Sequence, residues 1–175
     1  MKRIVLCLIV LLAINALFAF NDYSTAMGLH FGTSTGNGYS IRKWNDNNGY
    51  QLVFSAYAFG SKKAPTSFED KDYKNGRRQA GEMSFNYLWD LRRTSDYHFY
   101  IMSGGSYKLQ KVKRFYRTGD TEWVRDDKWA VGAGPGFEWK LADRFHMSLE
   151  LPITYNQSDD IVPYIPALGI YYYFK

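Results

Sequence analysis

The stretch from Lys128 to Leu141, KWAVGAGPGFEWKL, constrains the fold more than any other part of the chain. Trp129, Val131, Ala133, Pro135, Phe137 and Trp139 alternate with Ala130, Gly132, Gly134, Gly136, Glu138 and Lys140. A period of two puts successive side chains on opposite faces of a strand, so one face is thick and apolar and the other nearly bare. The same alternation recurs along the chain, and no stretch outside the N-terminal apolar run repeats at the 3.6-residue period of a helix. Aromatic residues make up 18% of the chain, with 15 Tyr and 12 Phe, and there are 15 Gly. Aromatics favour strands and glycine supplies their turns, so the chain reads as all-β.

The first residues read separately from the rest. Met1-Lys2-Arg3 is a basic start, Ile4 to Ala13 is an unbroken apolar run, and Ala19 precedes Phe20-Asn21-Asp22, where polarity returns. This is the pattern of a secretory signal peptide, with cleavage expected after Ala19 and Ala16 as the alternative site. A retained anchor is the competing reading, but the run is shorter than the ~20 residues of a spanning helix. The division is therefore 1–19 signal peptide and 20–175 barrel domain. The net charge of +5 falls to +3 without Lys2 and Arg3 (5 − 2), an excess that gives no case for a nucleic-acid partner. Cys7, the one cysteine, lies inside the apolar run and away from the cleavage site, so neither lipidation nor a disulfide is expected of the exported domain.

Turn residues divide residues 20–175 into eight strands, at about 25–33, 39–44, 50–59, 78–89, 97–109, 128–141, 145–155 and 164–174. Each is close to the 9–11 residues that carry a tilted strand across a bilayer. The connections after the second, fourth and sixth strands are short, and those at 60–77 and 110–127 are long and polar. The expectation is a single eight-stranded antiparallel up-and-down transmembrane β-barrel, with short periplasmic turns and longer extracellular loops. Pro135 and Pro166, which cannot donate to a ladder, are expected at bulges or strand ends.

Alternation alone does not say which face is inside. A soluble periplasmic ligand-binding barrel would turn the apolar face inward, and a membrane barrel turns it toward lipid. Three features favour the second. Large aromatics stand at strand ends on the apolar parity, among them Trp89, Trp129, Trp139, Phe145, Tyr155 and Phe174, as at a water–lipid interface. The other parity holds small residues, as a narrow barrel interior requires. It also holds His30, Arg42, Glu82, Glu138, Lys140 and Glu150, whose mixed signs would make a paired interior network.

The final strand, LGIYYYF, completes the pattern: Leu168, Ile170, Tyr172 and Phe174 on one parity, Ala167, Gly169, Tyr171 and Tyr173 on the other. With the leader, the strand count and the loop asymmetry, the chain resembles the small eight-stranded outer-membrane β-barrel proteins of Gram-negative bacteria, of the OmpX/OmpA type. The resemblance implies residence in the outer membrane among its lipids and lipopolysaccharide. It also implies recognition of the aromatic C-terminal strand by the barrel-assembly machinery, with Lys175 after Phe174 as a departure. A monomer is expected.

The fold leaves the activity open. His146, Ser148 and Glu150 share a strand face and resemble the spacing of a lipid A-modifying hydrolase, but on the inward parity, so no catalytic residue is assigned and the chain is read as a non-enzyme. No metal or cofactor is expected. A narrow gated pore for small ions is the alternative, limited because eight strands leave an interior that side chains fill. The favoured reading is a structural or surface-binding role through loops 60–78 and 110–128. There Lys62, Lys63, Lys111, Lys113, Arg114 and Arg117 lie near Tyr116 and Trp123, a mixture suited to lipopolysaccharide phosphates or another external ligand.

Overall fold

The computed structural model describes residues 24–60, 73–116, 119–158, 160–163 and 165–174. The leader, Lys62, Lys63 and Arg117 lie outside the described residues. The strands are β1 (Thr25–Gly32), β2 (Gly36–Asn45), β3 (Asn48–Phe59), β4 (Tyr73–Arg93), β5 (Tyr97–Tyr116), β6 (Thr121–Arg125), β7 (Lys128–Lys140), β8 (Phe145–Glu150), β9 (Ile153–Asn156), β10 (Ile161–Val162) and β11 (Ala167–Phe174). All pairings are antiparallel, and β1 pairs with β11, which closes the sheet into a ring. β8 and β9 both pair with β7 in one register, so they form a single wall strand and the ring has eight members. No described residue is helical.

The register fixes the shape of the ring. From Leu29 through Tyr39, Phe54 and Met83, the pairing reaches Tyr107 on β5. From Leu29 the other way, through Ile170, Met147 and Trp139, it reaches Tyr97. The two arrivals are ten residues apart (107 − 97). With a rise of about 3.3 Å per residue and strands about 4.8 Å apart, a shear of ten over eight strands tilts each strand by roughly 40°.

The faces are those of a membrane barrel. Leu29, Phe31, Phe54, Phe85, Leu168 and Ile170 are exposed on the outside, while Ser40, Arg42, Gln51, Asn86, Glu138 and Glu150 are buried inside. A soluble barrel would have the reverse, so that alternative fails on exposure. Small interior residues make room for large ones. A Cβ built on Gly136 would fall 2.2 Å from the Tyr100 ring, and one on Gly169 would fall 2.4 Å from the Tyr171 ring.

Several expectations need correction. Residues 73–77 and 110–125 are not all loop: β4, β5 and β6 continue past the ring as a three-stranded extension. The apolar parity ends at Leu109, with Val112 and Phe115 on opposite faces beyond it, but strand pairing needs no lipid on either side and continues. The seventh strand breaks at Leu151-Pro152, opposite Pro135, which is paired without a register shift on its β5 side. The eighth begins at Ala167, directly after Pro166, and β10 forms a small hairpin with β9 ahead of it. The first loop is short and folds inward: Ser34 and Thr35 are fully buried. Gly36, at φ +88°, permits that reversal, which a side chain would strain.

Closure makes a sharp prediction. A Cβ on Gly28 would fall 1.8 Å from the Ile170 carbonyl oxygen across the β1–β11 pair, whereas one on Gly81 meets nothing nearer than 3.8 Å. Gly28→Ala should destabilise the barrel by roughly 1–3 kcal/mol through overpacking against backbone. Gly81→Ala should be neutral or stabilising by a few tenths, because it removes unfolded-state freedom. Urea unfolding of the two variants in lipid vesicles checks the contrast.

Candidate functional site

The interior is organised around Arg42, which β2 points into the middle of the ring and which is fully buried. An isolated charge there would be prohibitive, so its partners decide whether the fold tolerates it. Arg42 Nη1 donates to Glu138 Oε2 at 2.5 Å and to Tyr100 Oη at 3.2 Å. Nη2 donates to Glu150 Oε1 at 2.7 Å, Gln51 Oε1 at 2.9 Å and Tyr171 Oη at 3.1 Å. The guanidinium also lies 4.2 Å from the centre of the Tyr171 ring. Two carboxylates from β7 and β8 thus face one cation from β2.

The shell around this triad is closed by further hydrogen bonds. The Tyr100 hydroxyl donates to Glu150 Oε1 at 2.8 Å, and the Tyr173 hydroxyl donates to Glu138 Oε1 at 2.6 Å. Trp44 Nε1 donates to the Tyr173 oxygen at 2.9 Å. Tyr171 Oη accepts from Arg42 and, at 2.9 Å, from Gln51 Nε2. Its own proton therefore goes to His30 Nδ1 at 2.9 Å, which leaves the other imidazole nitrogen to donate to Thr35 Oγ1 at 2.8 Å. Thr35 belongs to the inward-folded first loop, whose carbonyl accepts from Ser84 Oγ at 2.5 Å and Asn86 Nδ2 at 3.0 Å. A Cβ on Gly132 would fall 2.4 Å from Ser34 Oγ, so that glycine makes room for the loop.

Of the six residues expected in an interior network, the structure brings four together: His30, Arg42, Glu138 and Glu150. Glu82 sits nearer the loop end, where its Oε1 accepts from the Asn37 backbone N–H and side-chain Nδ2, both at 3.1 Å. Lys140 is exposed at the end of β7 and reaches Asp143 across the turn at 3.4 Å. Both share the inward parity but stand at other heights. Tyr100 and Gln51 were not singled out from the sequence. Their alternation marks them as inward, but nothing local says they reach Arg42.

His146, Ser148 and Glu150 do not form a nucleophilic set. His146 Nδ1 lies 3.0 Å from Glu138 Oε1, and the buried Ser148 Oγ has no hydrogen-bond partner among the described residues. No cluster of metal-ligating side chains is present among the described residues. The lumen is plugged at mid-height. A cavity of about 780 Å³ lies above the first loop, and one of about 390 Å³ lies at the turn end beside Trp44, His98 and His146.

The loop candidates divide between two faces of the extension. Lys111 is exposed and opposite Arg125, and Lys113 is opposite Trp123, all on the outward face that continues from Tyr107 and Leu109. Arg114 lines an inner cleft with Arg78 and Lys108. The Tyr116 hydroxyl donates to Glu122 Oε2 at 2.9 Å.

Removing one member of the buried triad should cost more than removing all of it. Arg42→Met leaves Glu138 and Glu150 buried without their cation and should destabilise the barrel by about 3–5 kcal/mol. Adding Glu138→Gln and Glu150→Gln should recover much of that loss. Unfolding midpoints of the single and triple variants in denaturant check this.

The same fold occurs in solved structures. A major outer membrane protein from Thermus thermophilus superposes with a TM-score of 0.54 at 11% identity, covering 86% of this chain and 98% of that one. Ail, the attachment invasion locus protein of Yersinia pestis, gives 0.45 at 16% identity, with 86% and 93% covered. Neisserial surface protein A gives 0.40 at 12% identity, with 86% and 93% covered. No family model matches the chain, and no curated protein matches it. The Thermus outer membrane protein carries the comparison, and in fold this chain is an eight-stranded antiparallel β-barrel of that kind, with a charged, plugged interior.

Proposed function

We propose that the protein is a non-enzymatic integral outer-membrane barrel, exported with cleavage near Ala19, that contacts anionic lipopolysaccharide headgroups through its outward extension. The observation that carries this reading is the ordering of side chains up the outer face of β5 and β6. Tyr107 and Leu109 are exposed at the top of the apolar band, and Lys111, Lys113, Trp123 and Arg125 follow directly above them on the same face. Aromatic rings suit the interface and cations suit the phosphate layer just beyond it. The outward parity of Lys111 and Lys113 supports a contact made sideways, with lipid standing beside the barrel.

The plugged lumen argues against an ion pore, because the Arg42 triad, Tyr100 and Tyr171 fill the cross-section at mid-height. The pairing of His146 with Glu138, away from Ser148, argues against a hydrolase.

Lys111→Gln together with Lys113→Gln should weaken binding of the folded protein to lipopolysaccharide. At about 1 kcal/mol per cation near an anionic surface, the loss is roughly 30-fold at low salt and shrinks as salt is raised. Equal affinity of variant and wild type at low salt would overturn the reading.

A further inference from the structure

Among the described residues, the ladder that closes the wall is interrupted beside β9. The β8–β11 ladder ends at Glu150 opposite Ala167. Above that pair, β9 is bonded only to β7 and β10, and no ladder among the described residues joins it to β11 or β1. Pro152, Pro163 and Pro166 flank this seam, three of the five prolines in the chain. None has an N–H to donate, so the seam cannot zip as the other pairs do. Phe31, Ile153, Ile165 and Leu168 are exposed beside it, and the Trp129–Tyr155 ring pair, 5.8 Å between centroids, stands nearby. Those residues place the seam at the depth of the outer lipid interface.

Behind the seam lies the outer cavity of about 780 Å³, whose lining runs from Phe31, Ile165 and Pro166 at the seam to Glu82, Lys108 and Lys128 inside. That volume is within the range of small-molecule sites. The inner residues form one row across three strands, because Glu82 is the register partner of Lys108 and Lys108 of Lys128. Two like charges directly opposite each other are destabilising. Neither lysine forms an ion pair among the described residues, and Lys108 Nζ lies only over the Tyr57 ring, at 5.3 Å from its centre. Glu82 is buried and held through Oε1 by Asn37. Asp126, one step up the same face, adds a second carboxylate to the lining and accepts from Gln110 Nε2 through Oδ2 at 3.4 Å, whereas Asp127 is bonded to Arg125 and Tyr107. The row is negative, positive, positive, with neighbours about 5 Å apart.

We propose that the seam is a lateral doorway from the outer leaflet, and that the cavity behind it holds the headgroup of a zwitterionic phospholipid or its lyso form. The phosphate would lie over Lys108 and Lys128, the ammonium beside Glu82 and Asp126, and the acyl chain would leave past Phe31 and Ile165. Charge-assisted hydrogen bonds to the phosphate offset the repulsion between the two lysines. This site is distinct from the outward Lys111–Lys113 strip, but the inference rests on the barrel standing in a bilayer.

The test is native mass spectrometry of the folded protein in a nonionic detergent, titrated with a palmitoyl lysophosphatidylethanolamine. Folding is checked first by gel mobility of boiled against unboiled samples; without a mobility shift, the barrel reading itself fails and the lipid result is not needed. The folded wild type should take up one lipid. Lys108→Gln with Lys128→Gln should weaken uptake roughly tenfold or more, whereas Lys140→Gln, at the opposite end of the barrel, should leave it unchanged. Glu82→Gln should erase any preference for the lysophosphatidylethanolamine over anionic lysophosphatidylglycerol. Absence of a one-to-one adduct on folded wild type, or an adduct indifferent to the Lys108 and Lys128 changes, would overturn the site. Phosphoethanolamine without an acyl chain binding as tightly as the lysolipid would overturn the doorway.

Discussion

A strand surrounded by hydrocarbon has no water to satisfy its N–H and C=O groups, and this constraint orders everything else in the structure. It forces β1 onto β11, and it forces the ring to close with a definite stagger. Once the ring is closed at eight strands, the interior has no room for a large side chain at every inward position. Glycine must then face tyrosine, as Gly136 faces Tyr100 and Gly169 faces Tyr171. The Arg42 triad is the polar counterpart of that packing. It fills the middle of the lumen with paired charges and hydroxyls, beside a buried apolar cluster that includes Trp44, Leu88 and Met102.

The same constraint explains where the fold is irregular. Inside the apolar band the ladders are continuous, and the outward residues are large and apolar. Beyond it, where water can satisfy the backbone, β4, β5 and β6 run on as an extension with Lys111 and Lys113 on one face and Arg78 and Arg114 on the other. The Pro152–Pro166 seam lies at the edge of these two regimes. The first loop is the other adaptation: it folds inward because Ser84, Asn86, Ser106 and Thr154 offer hydrogen bonds to its backbone and hydroxyls.

The fold was legible because alternation is local. Leu29 and Phe31 announce one face and His30 the other without knowledge of any partner. The eight wall strands and their faces follow from that, and so does the inward parity of Arg42, Glu138 and Glu150. What alternation does not carry is height. Arg42 meets Glu138 and Glu150 across 96 and 108 residues of sequence, and only the ten-residue stagger decides that they share a level while Glu82 and Lys140 do not. The break at Pro152 was hidden for a related reason, because MSLELPITY keeps an apolar parity straight through it. The extension reads as loop because cations stand on both of its faces, Lys111 and Lys113 on one and Arg114 on the other, and Val112 and Phe115 fall on opposite parities.

The central claim is that the apolar parity faces lipid and the polar parity faces a filled lumen. It is tested most directly by placing single cysteines in a Cys7→Ser background at Leu29, Met83 and Ile170 on one parity and at Ser40, Ser84 and Ser148 on the other. Each is labelled with an environment-sensitive fluorophore, before refolding where the site is buried, and the protein is reconstituted into vesicles with brominated acyl chains. The account predicts strong quenching at the first three positions and little at the second three. Quenching of the Ser40, Ser84 and Ser148 labels, with Leu29, Met83 and Ile170 protected, would contradict it.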